Sequence, residues 1–152
     1  MLSRDAFLGV RVLDMSRVLA GPFCGMLLAD IGADVIKLEV PGTGDDSREF
    51  PPFKDGLSLY YVNLNRGKRS ITLNLKTLEG KRLFKELVRR CDVLIENFRP
   101  GTMERLGLSY DELKMVNPRL VYAAISGFGQ TGPYRDRPGY DIIGQAMGGL
   151  LS

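Results

Sequence analysis

Polar and basic side chains come directly after the apolar runs of this chain. Arg17 follows the first run, and residues 97–99 (Asn-Phe-Arg) follow the fourth, with Arg105 further along. An amide, an aromatic face and two guanidinium groups together suit a purine nucleotide that carries phosphates. A core role explains Phe98 but not the arginines beside it, so the sequence favours a ligand site there. For Arg17, an anion site and a solvated side chain explain the sequence equally well.

Cations are densest in residues 65–69, Asn-Arg-Gly-Lys-Arg, and Lys76 lies at the far end of the apolar run that follows. A ligand rich in phosphate groups could bind some of these cations. A solvated basic loop is the simpler interpretation. Non-specific nucleic-acid binding is another alternative for the same cations. From the residues alone, we favour the solvated loop.

Glu39 ends the second apolar run, where an acidic residue binds a ribose hydroxyl in dinucleotide-binding folds. Those folds carry a G-x-G-x-x-G fingerprint after the first strand. This chain instead has Ala-Gly-Pro-Phe-Cys-Gly from Ala20, with a proline where a flexible pyrophosphate turn is needed. We therefore disfavour an NAD site and interpret Glu39 as a solvated charge at a strand end.

Glycines are concentrated in a late loop, between residues 127 and 139, and this density lets a backbone pass close to a substrate. Tyr140 and Asp141 follow, and they supply a phenol and a carboxylate at the start of the next helical pattern. A helix cap is the alternative role for Asp141. The residues alone leave both roles open.

Composition limits the classes of protein to which the chain can belong. It has 152 residues, 44% hydrophobic and 26% charged, which is typical of one globular domain. No apolar run approaches the roughly 20 residues that cross a bilayer, so we expect no membrane span. The net charge of +3 is spread along the chain and gives little support for nucleic-acid binding.

The chain has no histidine, which excludes imidazole as a base, proton shuttle or metal ligand, and we predict no metal site. Cys24 and Cys91 are isolated within apolar helical patterns and are interpreted as reduced core thiols. The first residues lack the apolar segment of a secretory signal, so a cytoplasmic location is expected.

Apolar runs alternate with helical patterns along the chain, as a parallel sheet with crossover helices requires. Strands are predicted at residues 9–15, 34–40, 71–75, 92–98 and 120–126, and helices at 21–31, 77–91, 109–117 and 140–151. In the first helix Phe23, Met26, Leu27 and Ile31 share the predicted buried face. The strict alternation of residues 71–75 favours a strand near a sheet edge. The fold class is therefore α/β, with an open, mostly parallel sheet.

No repeat or linker is visible, so residues 1–152 are predicted to form one structural unit. The final residues, 148–152, are apolar and glycine-rich with no return strand after them. We therefore expect the natural chain to continue beyond Ser152, so that residues 1–152 are an N-terminal fragment.

Seven ordered blocks resemble the N-terminal part of the family III CoA-transferases, which include formyl-CoA transferase, carnitine CoA-transferase and alpha-methylacyl-CoA racemase. The blocks are LDMSRVLAGP from Leu13, GADVIKLE from Gly32, GDDSR from Gly44, NRGKRS from Asn65, LIENFRPG from Leu94, SGFGQTGPY from Ser126 and RPGYD from Arg137. Seven blocks in the same order leave little room for coincidence.

The resemblance implies a Rossmann-like CoA-binding unit and, in a full-length protein, a homodimer of two interlocked rings. It implies acyl-CoA and a small carboxylic acid as partners, with no nucleic acid and no membrane. Carried over position by position, the CoA contacts are Arg17, Leu19, Ala20, Val40, Leu73 and the residues up to Lys76, Asn97, Phe98, Arg99 and Arg105. Val40 stands where some members have an arginine, so the resemblance does not carry a phosphate contact over to this position. Pro138 likewise stands where the formyl-CoA branch has a lysine.

The family's reaction uses an aspartate that attacks the acyl thioester and passes through a mixed anhydride. By the family's spacing this nucleophile lies beyond Ser152, so we predict no catalytic residue in this chain and no activity of the chain alone. Tyr140 and Asp141 are at most neighbours of the thioester carbonyl. Racemases of the family carry a histidine in place of Tyr140, which favours a transferase. The alternatives are a stand-alone CoA-binding or regulatory module and a racemase-like relative.

Overall fold

The computed structural model of the protein describes residues 5–151. In chain order its elements are β1 (Arg11–Asp14), α1 (Ala20–Asp30), β2 (Asp34–Glu39), a 3-10 helix (Asp46–Glu49), β3 (Phe53–Lys54), β4 (Leu57–Ser58), α2 (Leu59–Asn65), β5 (Arg69–Thr72), α3 (Leu78–Val88), β6 (Val93–Glu96), α4 (Thr102–Arg105), α5 (Tyr110–Val116), β7 (Val121–Ala124) and α6 (Asp141–Met147).

Five of the strands form one parallel sheet in the order β5-β2-β1-β6-β7, while β3 and β4 form a separate antiparallel pair. The strand order reverses between β1 and β6, so the segments that leave these two strands diverge and open a crevice at their carboxyl ends. The predicted α/β fold with an open parallel sheet is confirmed, and β5 lies at the predicted edge.

The two faces of the sheet pack into separate hydrophobic cores, because successive side chains of a strand point to opposite faces. Leu13 and Leu94 face one core, which Phe84 and Val88 of α3 share. The neighbouring residues Val12 and Ile95 face the other core, under α1. Helices therefore cover both faces, as the alternating pattern predicted.

The helix starts that the sequence predicted are observed. The Thr77 side chain accepts a hydrogen bond from the backbone N–H of Gly80 and caps α3. Ser109 and Glu112 form a capping box at the start of α5. These side chains satisfy backbone donors that have no partner inside the helix.

Helix α1 buries a different face from the one predicted. Met26 is buried as expected, but Phe23 and Leu27 are each 47% exposed. Gly25 faces the end of β1 so closely that a Cβ atom there would lie 2.5 Å from Oδ2 of Asp14. Glycine brings the helix backbone against a polar strand end, which a count of apolar side chains does not reveal.

Residues 41–66 have more regular structure than the sequence indicated, because no helix or strand was predicted between residues 40 and 71. They contain the 3-10 helix, the β3–β4 hairpin and the seven-residue helix α2. The short helix α4 was also missed. Each of these elements is too short to show a hydrophobic period.

Helix α6 is shorter than the predicted helix over residues 140–151, and it has no buried residue. Ile142, Met147 and Leu150 are each more than half exposed. Within residues 5–151, no helix combines the length and apolar character needed to cross a bilayer.

Both cysteines are free thiols; Cys91 is buried and Cys24 is half-buried. Burial raises the pKa of the Cys91 thiol to about 11, so it stays protonated at neutral pH. The interpretation as a core thiol therefore fits Cys91 better than Cys24.

Candidate functional site

A cavity of about 340 Å³ opens at the carboxyl edge of the sheet, beside the point where the strand order reverses. This volume lies near the lower end of the roughly 300–1,000 Å³ that small-molecule sites span. Its wall is built by the segments that leave β1, β2, β5 and β6, together with α4. The lining residues are Met15, Ser16, Arg17, Lys37, Leu38, Glu39, Val40, Gly44, Asp45, Leu73, Asn74, Leu75, Lys76, Phe98, Thr102 and Leu106.

Seven of the CoA contacts implied by the family resemblance line this cavity: Arg17, Val40, Leu73, Asn74, Leu75, Lys76 and Phe98. They come from the ends of four different strands, so the sheet brings together residues that are far apart in the chain. Their contact with CoA stays a prediction.

The other implied contacts lie outside the cavity wall. Leu19 and Ala20 are exposed at the start of α1, and Arg105 is exposed at the end of α4. Arg99 lines a neighbouring cavity of about 550 Å³ beside β6 and β7. Asn97 lies under the turn that joins β1 to α1, where it has a structural partner.

The Asn97 side chain holds the backbone of Arg17 at both of its polar groups. Asn97 Oδ1 accepts a hydrogen bond from Arg17 N at 2.8 Å, and Asn97 Nδ2 donates to Arg17 O at 2.7 Å. Helix α1 packs tightly above, because a Cβ atom on Gly21 would lie 2.1 Å from Cβ of Ser16. Asn97 therefore shapes the turn that presents Arg17.

Arg17 reaches the mouth of the cavity and is held there by two weak contacts. Its guanidinium carbon lies 5.5 Å from the centre of the Phe98 ring. One guanidinium nitrogen lies 3.3 Å from a carboxylate oxygen of Asp46, and this pair is largely exposed. Exposed ion pairs contribute only about 0–1 kcal/mol, so an anion that enters the cavity can displace Asp46 from Arg17.

A buried ion pair forms the floor of the site beside this turn. Lys37 Nζ donates to Asp45 Oδ2 at 2.6 Å and to the carbonyl of Ser16 at 2.8 Å. Asp45 Oδ1 accepts from the backbone N–H groups of Val18 at 3.1 Å and Ser47 at 2.9 Å. Burial alone would raise the pKa of Asp45, but the hydrogen bond and charge of Lys37 hold it below its ordinary value. The Asp45 carboxylate therefore stays ionised at neutral pH.

Glu39 is buried and fully engaged, so its interpretation as a solvated charge was wrong. Its carboxylate accepts two hydrogen bonds from Arg48, one from Tyr61, one from Ser70 and one from the backbone N–H of Asp45. Burial by itself would raise the pKa of Glu39, but these donors lower it to about 2. A carboxylate with these partners holds the loop after β2 in place.

Within the basic segment of residues 65–69, Lys68 is buried, so the solvated loop that the sequence favoured is wrong for this residue. Lys68 is 1% exposed at its side chain and donates to Asp14 Oδ2 at 2.7 Å, the carbonyl of Pro22 at 2.8 Å and Asn65 Oδ1 at 3.0 Å. Burial lowers the pKa of Lys68, and the nearby Asp14 carboxylate opposes this change. Lys68 therefore ties β1 and α1 together from within.

The two arginines of the same segment are paired at the surface. Arg66 binds Asp30 at 2.5 Å, and Arg69 binds Asp34 at 2.7 Å. All three cations of the segment thus have acidic partners within the chain, which removes them as the leading candidates for a phosphate site.

Glu96 lies at the end of β6, is 4% exposed, and contributes to the wall of the second cavity. It accepts hydrogen bonds from Phe98 N at 2.7 Å and from the hydroxyl of Tyr122 at 3.3 Å. Burial raises the pKa of this carboxyl. Glu96 also restrains the start of the segment that carries Phe98 into the first cavity.

Tyr140 and Asp141 line a third, separate cavity that also includes Gly127 and Gly139. The Asp141 carboxylate accepts a hydrogen bond from Gln145. Asp141 is the first residue of α6 rather than the cap of that helix. A Cβ atom on either glycine would lie 2.3 Å from the Cα of the other. These two glycines allow the loop to contact itself.

Sequence reasoning missed the buried charges that support the site. The signal was available, because Lys37 lies in the middle of the apolar run DVIKLE and Asp14 lies near the end of GVRVLDM. A charged residue in a buried strand is almost never unpaired. Within residues 5–151, no group of three or more His, Cys, Asp or Glu side chains is placed to hold a metal ion.

The fold and the candidate site define an α/β protein with a cavity that is assembled from strand ends where the order of an open parallel sheet reverses. The sequence matches the family model described as "CoA-transferase family III" over residues 7–152. The chain therefore belongs to CoA-transferase family III.

The relatives of this chain include named CoA-transferases. The chain is 54% identical to the acetyl-CoA:oxalate CoA-transferase of Acetobacter aceti over 148 residues, which are 97% of this chain and 38% of that protein. It is 54% identical to the succinate–glutarate CoA-transferase of Agrobacterium fabrum over 151 residues, 95% of this chain and 38% of the relative.

The crystal structure of a CAIB/BAIF family protein from Brucella suis is similar, with a TM-score of 0.89 and 48% identity over 95% of this chain and 39% of that one. The chain thus spans little more than a third of the length of the relatives that it matches.

Proposed function

We propose that this chain supplies the CoA-binding part of a CoA-transferase, which moves CoA from an acyl-CoA donor to a carboxylic acid. The observation that carries the proposal is the cavity at the strand ends, where Arg17, Leu73, Lys76 and Phe98 meet. The names of the relatives, which act between acyl-CoA and small acids, support the same reaction class.

The cavity has the chemical character that part of CoA requires. Leu73, Leu75 and Leu106 supply an apolar wall, and Phe98 supplies an aromatic side chain that can contact the adenine. Arg17 and Lys76 supply positive charge for phosphate groups. Its volume of about 340 Å³ suits one portion of the ligand, with the remainder extending along the open strand ends.

We further propose the covalent route that the resemblance implies. An aspartate carboxylate beyond Ser152 attacks the acyl thioester carbonyl, the C–S bond breaks, and CoA leaves as its thiolate. The thiolate attacks the aspartyl carbonyl of the mixed anhydride and releases the donor acid. The acceptor carboxylate then attacks the enzyme thioester and again frees the thiolate. This thiolate then attacks the acceptor carbonyl of the second mixed anhydride, which forms the new acyl-CoA and restores the aspartate.

In this scheme the described residues act by binding and orientation. Arg17 and Lys76 hold the CoA phosphates, so the thiolate stays near the aspartyl group while it is free between the two steps. Holding a reactant in place converts a bimolecular step into an effectively unimolecular one. The single CoA-binding unit, the continuation beyond Ser152, the homodimer and the cytoplasmic location stay predictions.

A calorimetric titration of the purified chain with CoA tests the proposal, with NAD as the comparison ligand and circular dichroism to confirm folding. We expect saturable CoA binding, no response to NAD, and weaker binding by Lys76→Met. Asp34→Asn, which changes an exposed charge at the far end of β2, is the control and should bind like the parent chain. A folded chain that does not bind CoA would contradict the proposal. Transfer activity of the chain alone would contradict a nucleophile beyond Ser152.

A further inference from the structure

Val18 has an unusual backbone conformation at the edge of the proposed CoA cavity. Its φ angle is 68°, a left-handed conformation that β-branched residues rarely adopt. The preceding residue, Arg17, lines the cavity. Such a conformation persists only where the surrounding structure holds it in place, and such residues concentrate at ligand and active sites.

The group that holds Val18 is the carboxylate of Asp45. Asp45 Oδ1 accepts the hydrogen bond from Val18 N at 3.1 Å. Asp45 Oδ2 is bound to Lys37 Nζ, which also donates to the carbonyl of Ser16. The carboxylate thus reaches the turn directly at Val18 and indirectly, through the lysine, at Ser16. Residues on both sides of Arg17 are therefore fixed by one buried ion pair.

Asp45 has little capacity left for a ligand. Its Oδ1 atom accepts hydrogen bonds from Ser47 N and Ser47 Oγ in addition to Val18 N, while Oδ2 is occupied by Lys37. Asp45 is 1% exposed. Its hydrogen bond to Val18 gives it an influence on a bound molecule through the turn.

We propose that Asp45, with Lys37, is a positioning residue that holds the β1–α1 turn in the shape that presents Arg17 to CoA. This inference rests on the proposed function for its ligand, whereas the hold on the turn itself does not depend on any ligand. It goes beyond family membership, because it assigns a role to a buried pair whose charged groups bind each other and the β1–α1 turn.

The first test compares Asp45→Ala with Asp34→Asn in the full 152-residue chain. Asp34 is an exposed acid in β2, the strand that precedes the loop of Asp45. It is paired with Arg69 and does not line the cavity. We expect Asp45→Ala to weaken CoA binding about tenfold, equivalent to about 1.4 kcal/mol. Asp34→Asn should leave the affinity unchanged. An Asp45→Ala chain that is folded and binds CoA like the parent would overturn the proposal.

A pair of double variants separates positioning from general stability. Lys37→Met with Asp45→Ala, and Lys37→Met with Asp45→Asn, both remove the buried charges, but only asparagine can still accept the hydrogen bond from Val18. We expect the asparagine double variant to bind CoA about tenfold more tightly than the alanine double variant. Equal affinities at matched melting temperatures would argue that the pair serves stability alone.

Hydrogen exchange at the Val18 amide gives a measurement that needs no ligand. In the parent chain the amide is bonded to Asp45 and should exchange slowly, whereas Asp45→Ala should lose this protection and Asp34→Asn should keep it. If the parent chain fails to bind CoA, the proposed function fails, and the exchange result still decides whether Asp45 holds the turn. Retained protection of Val18 in a folded Asp45→Ala chain would refute the hold.

Discussion

Lys68 and Arg69 are adjacent cations that both pair with an aspartate, yet the structure predicts very different effects on stability. The Lys68–Asp14 pair is buried, with side chains that are 1% and 0% exposed. The Arg69–Asp34 pair is on the surface, with side chains that are 66% and 45% exposed. Substituting each cation by methionine removes one charge and keeps an unbranched side chain, so the two variants are matched.

The expected magnitudes follow from what each substitution leaves behind. Lys68→Met leaves Asp14 buried without its cation and removes a donor from the carbonyl of Pro22, and breaking a buried pair in this way costs about 3–5 kcal/mol. Arg69→Met leaves Asp34 in water, where an exposed pair contributes about 0.2–1 kcal/mol. At about 2–4 °C per kcal/mol for a domain of this size, the melting temperature falls by roughly 6–20 °C for Lys68→Met. The fall for Arg69→Met is at most about 4 °C.

Thermal and urea unfolding at pH 7, followed by circular dichroism, measure both variants. Adding Asp14→Asn to Lys68→Met should recover part of the loss, because the double variant no longer buries an unpaired charge. If Lys68→Met and Arg69→Met lose the same stability, or if Asp14→Asn deepens the loss additively, the reasoning from the buried pair is wrong.

Two further predictions concern the loop after β2 and the packing of α1. Because the pKa of Glu39 is lowered to about 2 from its ordinary value of 4.5, its stabilisation is complete above pH 4.5 and is lost as the pH falls toward 2. A fall in pKa of this size corresponds to about 3 kcal/mol, so Glu39→Gln should lower the free energy of unfolding at pH 7. It should also flatten the loss of stability between pH 4.5 and pH 2 in urea unfolding, and an unchanged loss there would count against the network. Gly25→Ala should cost about 1–3 kcal/mol because its Cβ meets Asp14. In the control Gly144→Ala an added Cβ atom would meet nothing outside its own helix within 4 Å, so the free energy of unfolding should rise by up to about 1 kcal/mol. Similar losses in both variants would contradict the packing argument.

Much of the fold could be predicted because it depends on local patterns. The alternation of apolar runs with helical patterns predicted the five parallel strands, and the polar residues at Thr77 and Ser109 predicted two helix starts. The sequence also placed the candidate site at the strand ends, and a cavity opens there because parallel strands deliver their carboxyl ends to one edge. Arg17 and Phe98, 81 positions apart, meet there.

The fate of the individual charges was not predictable in the same way. Glu39 and Lys68 were expected to be solvated, and both are buried. The hydrogen bond between Lys68 and Asp14 spans 54 positions in the chain, so no window around either residue contains its partner. Burial of a charge is tolerated only when that partner is present, and only the tertiary structure supplies it.

The sequence by itself thus determined the α/β class, the parallel sheet and the edge at which the candidate cavity opens, because hydrophobic periodicity and capping act within one element. Tertiary structure alone decided which polar residues face the cavity and which hold its wall. Lys37, Asp45 and Asn97 converge on the β1–α1 turn from three different segments. The glycines of α1 make room for that convergence by leaving no Cβ atom in the way. The physical reason is that both effects depend on distances between elements, which a local pattern does not encode.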